Sequence, residues 1–141
     1  MRRPSHLGVV AIALAAAILA GCSRTTDRVA LEGIVACDGA PMPDGSIVFI
    51  PQGDTKSPTC GGTISQGRFT ISAKDGAAPG AYRVEITALR NTGKRVTNPR
   101  DGTMIDEIVQ YVPPQFNRQS TLTATVDDRA DNRFEFAITS K

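Results

Sequence analysis

The sequence predicts an all-β fold, a β-sandwich of about seven short strands. After residue 28, apolar and polar residues alternate with a period of two, glycine- and proline-rich turns separate the segments, and no convincing long helix appears. Because most predicted strands are apolar on one face only, two sheets must pack face to face to bury those faces. Polar outer faces favour this arrangement over a parallel sheet covered by helices.

The predicted strands are rich in β-branched and aromatic residues, which favour strands. They are residues 29–36, 46–50, 61–65, 68–72, 81–89, 121–126 and 133–139. The alternation is clearest in 81–89, where Tyr82, Val84 and Ile86 share the face expected to be buried. Phe134 and Phe136 take the same place in the last strand, and we assign them to the core rather than to a ligand platform.

Residues 90–119 interrupt this pattern and read as a long connection, a kind of segment that is usually functional or disordered. Four apolar residues within it have the i, i+3, i+4, i+7 spacing of a short helix: Ile105, Ile108, Val109 and Val112. Their β-branched side chains favour a short strand equally well. The sequence leaves both alternatives open.

The N-terminal residues have the organisation of an export signal. Arg2 and Arg3 precede an apolar stretch, residues 7–20, whose helical length of about 21 Å is short of the ~30 Å hydrocarbon core of a membrane. The end of this stretch, "LAGC", resembles the lipobox of bacterial lipoproteins. Alternatives are an ordinary signal peptide with a chance cysteine, and a twin-arginine signal.

The lipobox resemblance implies a lipid anchor on Cys22. Diacylglyceryl transfer to its thiol, cleavage between Gly21 and Cys22, and acylation of the new amino group with palmitate-type chains would anchor the protein stably, since two or three chains bind far more tightly than one. The predicted organisation is a signal peptide (1–21), a lipidated tether (22–28) and one β-sandwich domain (29–141). The predicted location is the cell envelope, with the domain facing the periplasm or the exterior.

Composition limits the partners and the chemistry of the mature chain. Removal of Arg2 and Arg3 from the 16 Lys and Arg residues leaves 14, against 14 Asp and Glu, so the mature chain is formally neutral and nucleic acid is not an expected partner. The single histidine, His6, lies in the leader. Without imidazole, Ser-His-Asp and Cys-His catalysis and histidine-ligated metal sites are excluded. We predict no cofactor and no enzymatic activity.

Cys37 and Cys60 remain after lipidation. An even pair in an exported chain suggests a disulfide, and the alternative is two reduced, separately buried thiols. Neither thiol looks reactive, because the chain has no C-x-x-C motif and no histidine nearby.

Several segments together resemble one family: "GIVACDGAPMPDGSIVFIP" (33–51), "GRFTI" (67–71), "PGAYRVEI" (79–86), "VPPQFNRQSTLTATV" (112–126) and "NRFEFAI" (132–138). The chain resembles small bacterial lipoproteins with a carboxypeptidase-regulatory-like, transthyretin-type domain. This resemblance implies an antiparallel Greek-key sandwich without established catalytic activity. Phe116 stands where the family often has tyrosine. Transthyretin-like hydrolases use histidines and a C-terminal tyrosine motif, which this chain lacks.

Two loops carry candidate sites. Asp127, Asp128, Asp131 and Asn132 have oxygen ligands for calcium, but Arg129 lies among them, and we assign a solvated turn and no metal. The connection 90–119 contains four cations with no acid between them: Arg90, Lys94, Arg95 and Arg100. They are suited to anionic lipid headgroups or acidic polysaccharide, or they keep a loop soluble.

The sequence therefore favours a non-catalytic, membrane-anchored module. It binds or organises an envelope protein or polysaccharide, with the long connection as the expected binding element, because loops on a rigid scaffold carry recognition. The alternative is a transthyretin-like small-ligand carrier or hydrolase, which requires a deep pocket with converging polar groups.

Overall fold

The computed structural model describes residues 27–128 and 131–141, and in those residues the chain is all-β with no α-helix. A single 3₁₀ turn, Pro114–Phe116, precedes the ninth strand. The described residues form ten strands: β1 (Leu31–Cys37), β2 (Ala40–Pro41), β3 (Asp44–Pro51), β4 (Cys60–Ser65), β5 (Arg68–Ile71), β6 (Gly80–Thr87), β7 (Leu89–Thr97), β8 (Met104–Gln110), β9 (Thr123–Val126) and β10 (Asn132–Ile138).

The all-β class predicted from the alternation is confirmed. The seven predicted strands correspond to β1, β3, β4, β5, β6, β9 and β10, with boundaries that differ by at most two residues. The other three strands were not predicted. Strand β2 has only two residues, and β7 and β8 lie in the connection that lacks clear alternation.

Eight strands form one curled sheet in the order β10-β1-β5-β4-β3-β6-β9, with β2 paired to β1. Within it β1 and β10 pair in parallel, and the other described pairs are antiparallel. Strands β3 and β10 are four places apart, about 19 Å in a flat sheet. Because the rings of Phe49 on β3 and Phe136 on β10 nevertheless lie 6.5 Å apart, the sheet curls around its own apolar face.

The core lies inside this curl, and the predicted inner face of β6 is part of it. Tyr82, Val84 and Ile86 are fully buried. The hydroxyl of Tyr82 donates a hydrogen bond to the carbonyl oxygen of Ala78 at 2.7 Å, which satisfies the one polar group that this side chain brings into the core. Burial is the main cause of the raised pKa of Tyr82.

Gly33 in β1 leaves room for the backbone of one neighbouring strand and for an aromatic ring of the other. It is paired with Phe69 on β5 and Phe134 on β10. A Cβ atom at Gly33 would collide with the carbonyl oxygen of Phe134 and lie 2.8 Å from the ring of Phe69. The absence of a side chain there is therefore a packing requirement of the core.

The suggested disulfide between Cys37 and Cys60 is not formed, and both thiols are free. The sheet order explains why. Strands β1 and β4 run in the same direction, because each is antiparallel to β5. Cys37 ends β1 whereas Cys60 begins β4, so the two residues lie at opposite ends of the sheet. A seven-residue strand spans about 20 Å, whereas a disulfide requires Cα atoms within about 7 Å.

The predicted signal peptide, the lipobox with Gly21 and Cys22, and most of the tether lie outside the described residues. In the part of the chain that the structure describes, no helix is long and apolar enough to cross a membrane.

Candidate functional site

The predicted binding connection contains a two-stranded hairpin formed by β7 and β8, which we call the β7–β8 hairpin. It follows β6 after a single residue, Ala88. Two hydrogen bonds close its base: the Ala88 N–H donates to Oε1 of Gln110 at 2.9 Å, and the Tyr111 N–H donates to the Ala88 carbonyl at 3.1 Å. The guanidinium of Arg90 lies 5.4 Å from the centre of the Tyr111 ring, a cation–π contact that also fixes the base.

The register of the hairpin settles the helix-or-strand question in favour of a strand. Leu89 is opposite Gln110, Asn91 is opposite Ile108, and Thr97 is opposite Met104. The apolar residues of β8 alternate with polar ones on both faces, because neither face of the hairpin packs fully on the core. The one-sided pattern that identified the other strands is therefore absent here.

Strand β7 contains a bulge. Between Asn91, paired with Ile108, and Arg95, paired with Asp106, three residues of β7 face one residue of β8. Gly93 in this bulge has a φ of +79°, a conformation that favours glycine. Its N–H donates to Oδ1 of Asn91 at 2.7 Å. The bulge gives β7 an irregular outer edge, whereas β8 is regular.

The tip of the hairpin is a compact turn. The Asn98 N–H donates to the Thr103 carbonyl at 2.7 Å, and the Gly102 N–H donates to the Asn98 carbonyl at 2.9 Å. Asp101 accepts hydrogen bonds from the backbone N–H and the hydroxyl of Thr103, and these lower the pKa of Asp101. The tip therefore keeps its shape through its own backbone and side chains.

The four predicted cations lie along this hairpin, and the structure does not gather them into one cluster. Arg90 is at the base, Lys94 is in the bulge, Arg95 is in the middle of β7, and Arg100 is at the tip. All four are exposed. In the described residues the ion pairs are Arg83–Glu85 and Arg133–Glu32, so none of the hairpin cations has a carboxylate partner there.

Sequence reasoning missed the apolar side chains that the hairpin exposes. In the described part of the chain, five large apolar residues are strongly exposed, and four of them lie on the hairpin. These are Leu89 (61%), Met104 (51%), Ile105 (43%) and Ile108 (61%), whereas Ile34 (42%) lies on β1. The spacing of the apolar residues 105, 108 and 109 indicated an apolar surface in this segment. Whether that surface is buried or exposed depended on whether the segment packs on the core. A concentration of exposed apolar area marks an interaction surface.

The hairpin leaves the sheet at the end opposite to the chain entrance. Its base residue Tyr111 lies near Cys37 and Asp38, at the end of β1. Burial raises the pKa of Tyr111, and the negative charges of Cys37 and Asp38 raise it further. The chain enters at the other end, where Val29 bridges to Ala77 before β1 begins. Arg28 lies near Cys60 at this end. Burial raises the pKa of the Cys60 thiol, and the positive charge of Arg28 partly offsets this increase.

Asn117 links the segment that follows β8 to the end of β6. Its Nδ2 donates to the Ile86 carbonyl at 2.8 Å and to the Thr87 hydroxyl at 2.7 Å. The side chain thus uses its two donors where β6 passes into the hairpin. This anchoring residue was not assigned a role from the sequence.

A groove of about 250 Å³ crosses the outer face of β10, β1 and β5. Its charged lining residues are Glu32, Arg68, Arg133 and Glu135, and Nε of Arg133 lies 2.5 Å from a carboxylate oxygen of Glu32. The groove is open to solvent, and part of its charge is already paired. It therefore lacks the depth and the converging polar groups of a small-ligand site.

The aspartate-rich turn before β10 is held by Asn132. Oδ1 of Asn132 accepts from the Asp127 N–H at 2.8 Å, and Nδ2 donates to the Asp127 carbonyl at 3.0 Å. The amide thus bonds to backbone across the turn. Among the described residues, no group of three or more His, Cys, Asp or Glu side chains is arranged to hold a metal ion.

Comparison of the chain with protein-family models and with curated proteins finds no match.

Proposed function

We propose that the protein is a non-catalytic, lipid-anchored module of the cell envelope that binds another envelope component through the β7–β8 hairpin. The observation that carries this proposal is the composition of the hairpin surface. It combines four strongly exposed apolar side chains with four cations that have no carboxylate partner among the described residues. Exposed apolar area surrounded by charge is typical of a surface that another molecule covers.

The proposed fold is a Greek-key sandwich of the carboxypeptidase-regulatory-like, transthyretin type. The curled and mostly antiparallel sheet, with Phe49 of β3 against Phe136 of β10, supports two packed layers. The segments that carried the resemblance supply the strands β1, β3, β5, β6, β9 and β10. Such a scaffold holds a projecting hairpin rigidly at its base, which is what a binding element requires.

The proposed anchor is the lipid on Cys22. Cleavage before Cys22 leaves a short tether, 22–28, that joins the domain at the end of the sheet opposite to the hairpin. With this polarity the hairpin is presented away from the anchoring membrane. A protein or polysaccharide of the envelope is therefore a more suitable partner than the headgroups of that membrane.

The proposal is tested by site-specific photocrosslinking in living cells. A benzophenone amino acid at Ile108 should give adducts with an envelope component, since this side chain is 61% exposed on the hairpin. The matched control is the same substitution at Ile34, an exposed isoleucine on the body of the domain. Equal adducts from both positions, or none from Ile108, would contradict the proposed role of the hairpin.

A further inference from the structure

We infer that the outer edge of β8 (Met104–Gln110) is a strand-addition site for an extended, basic peptide segment of another envelope protein. This inference deepens the proposed function and rests on it. The carrying observation is the juxtaposition of a regular, unpaired strand edge with Asp106 and Glu107, one on each face of that strand.

The β7–β8 hairpin is a two-stranded sheet, and in the described residues neither strand has a second neighbour. Isolated two-stranded ribbons are marginally stable in water, and a third strand stabilises them. Strands β9 and β10, which end the main sheet, have the packed core behind them, whereas the hairpin exposes both faces. An added strand would satisfy the free backbone groups of one edge and cover Ile105 and Ile108.

The two edges of the hairpin differ in how they are protected. Strand β7 has a bulge with Gly93 in the left-handed region, and Lys94 and Arg95 lie in or beside it. Bulges and edge lysines are devices by which proteins block strand addition. Strand β8 has seven residues, of which six are in register with β7 and Glu107 lies opposite the bulge, and none of the seven is proline, glycine, lysine or arginine. The edge open to a new strand is therefore that of β8.

The charges on β8 define the chemistry of the added segment. Asp106 accepts a hydrogen bond from Nδ2 of Asn91 at 3.2 Å, and Glu107 accepts one from the Thr92 hydroxyl at 2.6 Å. Neither carboxylate takes part in the ion pairs of the described residues. Successive residues point to opposite faces, so a strand beside β8 meets one carboxylate on each face. Lysine or arginine opposite them is favourable, and acidic residues there are unfavourable.

Two other occupants fit the edge less well. A second copy that paired the centre of β8 with the centre of β8 would bring Asp106 or Glu107 directly or diagonally opposite an acid of its partner, because the two acids lie at the centre of the strand. The chain before residue 27 enters at the far end of the sheet. After cleavage at Cys22 its five residues reach at most about 18 Å, which is less than the length of β1.

The inference is tested with labelled synthetic peptides and the purified protein. One peptide alternates valine with lysine and threonine, and a second has glutamate in place of lysine. Binding is followed by fluorescence anisotropy, and backbone protection by hydrogen exchange. We expect the lysine peptide to bind at least about fivefold more tightly than the glutamate peptide, and to slow exchange in β8.

Charge reversal supplies the decisive variant. Asp106→Lys with Glu107→Lys should invert the peptide preference, whereas the matched control, Asp54→Lys with Asp128→Lys, makes the same change in net charge on exposed loops and should leave the preference unchanged. Hydrogen exchange of β7 in the free variants reports whether the hairpin is intact.

Three results would overturn the inference: no peptide binding at about 1 mM, binding that ignores peptide charge, or protection outside β8. Protection of β8 by anionic vesicles but not by the lysine peptide would assign the surface to lipid instead. If Ile108 crosslinks in cells but β8 binds no peptide, the proposed function stands and only the strand-addition site falls. If Ile108 does not crosslink, the proposed function itself falls.

Discussion

The rings of Phe49 and Phe134 lie 5.7 Å apart, although β3 and β10 are separated by three strands in the sheet. Phe49 is fully buried and also contacts the rings of Phe69, Tyr82 and Phe136. It is the point at which the two halves of the curled sheet meet. The contacts of this one side chain therefore hold the curl closed.

Phe49→Ala should destabilise the fold by about 3–5 kcal/mol, because it removes a fully buried aromatic side chain and leaves a cavity between the sheet halves. Chemical denaturation followed by circular dichroism measures the change. Ile34→Ala, at a strongly exposed position on β1, is the control and should cost much less. A Phe49→Ala variant as stable as that control would contradict the central place of Phe49.

Asn117→Asp should destabilise the junction of β6 and the hairpin by about 1–3 kcal/mol, because a carboxylate cannot donate to the Ile86 carbonyl. Exchange of the amides of β7 and β8 should quicken more than that of β1. Asn117→Gln, which keeps a donor on a longer side chain, is the comparison. Unchanged exchange in β7 and β8 would show that Asn117 does not hold the hairpin base.

Both Cys37 and Cys60 should titrate as free thiols. In denaturant without reductant, a Cys22→Ser variant should give two reactive thiols per chain. In the native state both should react slowly at neutral pH, since burial raises the pKa of each thiol and Asp38 raises that of Cys37 further. A protein that shows no thiol until it is reduced would contain the disulfide that the sheet order disfavours.

The C-terminal contact at Asp38 should weaken in acid. Asp38 accepts hydrogen bonds from the hydroxyl and the N–H of Ser140, and these lower the pKa of the Asp38 carboxyl. The stabilisation is therefore complete above the unfolded value of about 3.9 and is lost as the pH falls through the lower folded value. The Ser140 amide resonance should report this transition, and Asp38→Asn should abolish it. A midpoint at or above 3.9 would disagree with the contact.

Cys22→Ala should release the protein from membranes. The protein without this substitution should partition into the membrane fraction and carry acyl chains on Cys22, the first residue after cleavage, because several acyl chains bind a bilayer stably. Fractionation and mass spectrometry of the N-terminal peptide measure both properties. A peptide that still begins at Met1, or a Cys22 without lipid, would remove the anchor from the proposal.

The sequence was most informative wherever a strand has one buried face. In β6 and β10 the alternation predicted which side chains enter the core, and Tyr82 and Phe136 are buried as expected. The turn after β1 lies at one of the predicted glycine-containing breaks between strands, and Asp38 and Gly39 both adopt positive φ there. These features depend on neighbours in the chain, and local spacing is sufficient to specify them.

The tertiary structure alone decided the form of residues 90–119 and the state of the cysteines. Neither face of the hairpin is fully buried, so its sequence does not alternate between an apolar face and a polar face. The pairing of the two strands identified the hairpin, and the solvent exposure of Leu89 and Ile108 identified its apolar surface. The separation of Cys37 from Cys60 follows from the sheet order. Side-chain periodicity reports which face of a strand is buried, but strand order is set by contacts between residues distant in the chain, which local spacing does not encode.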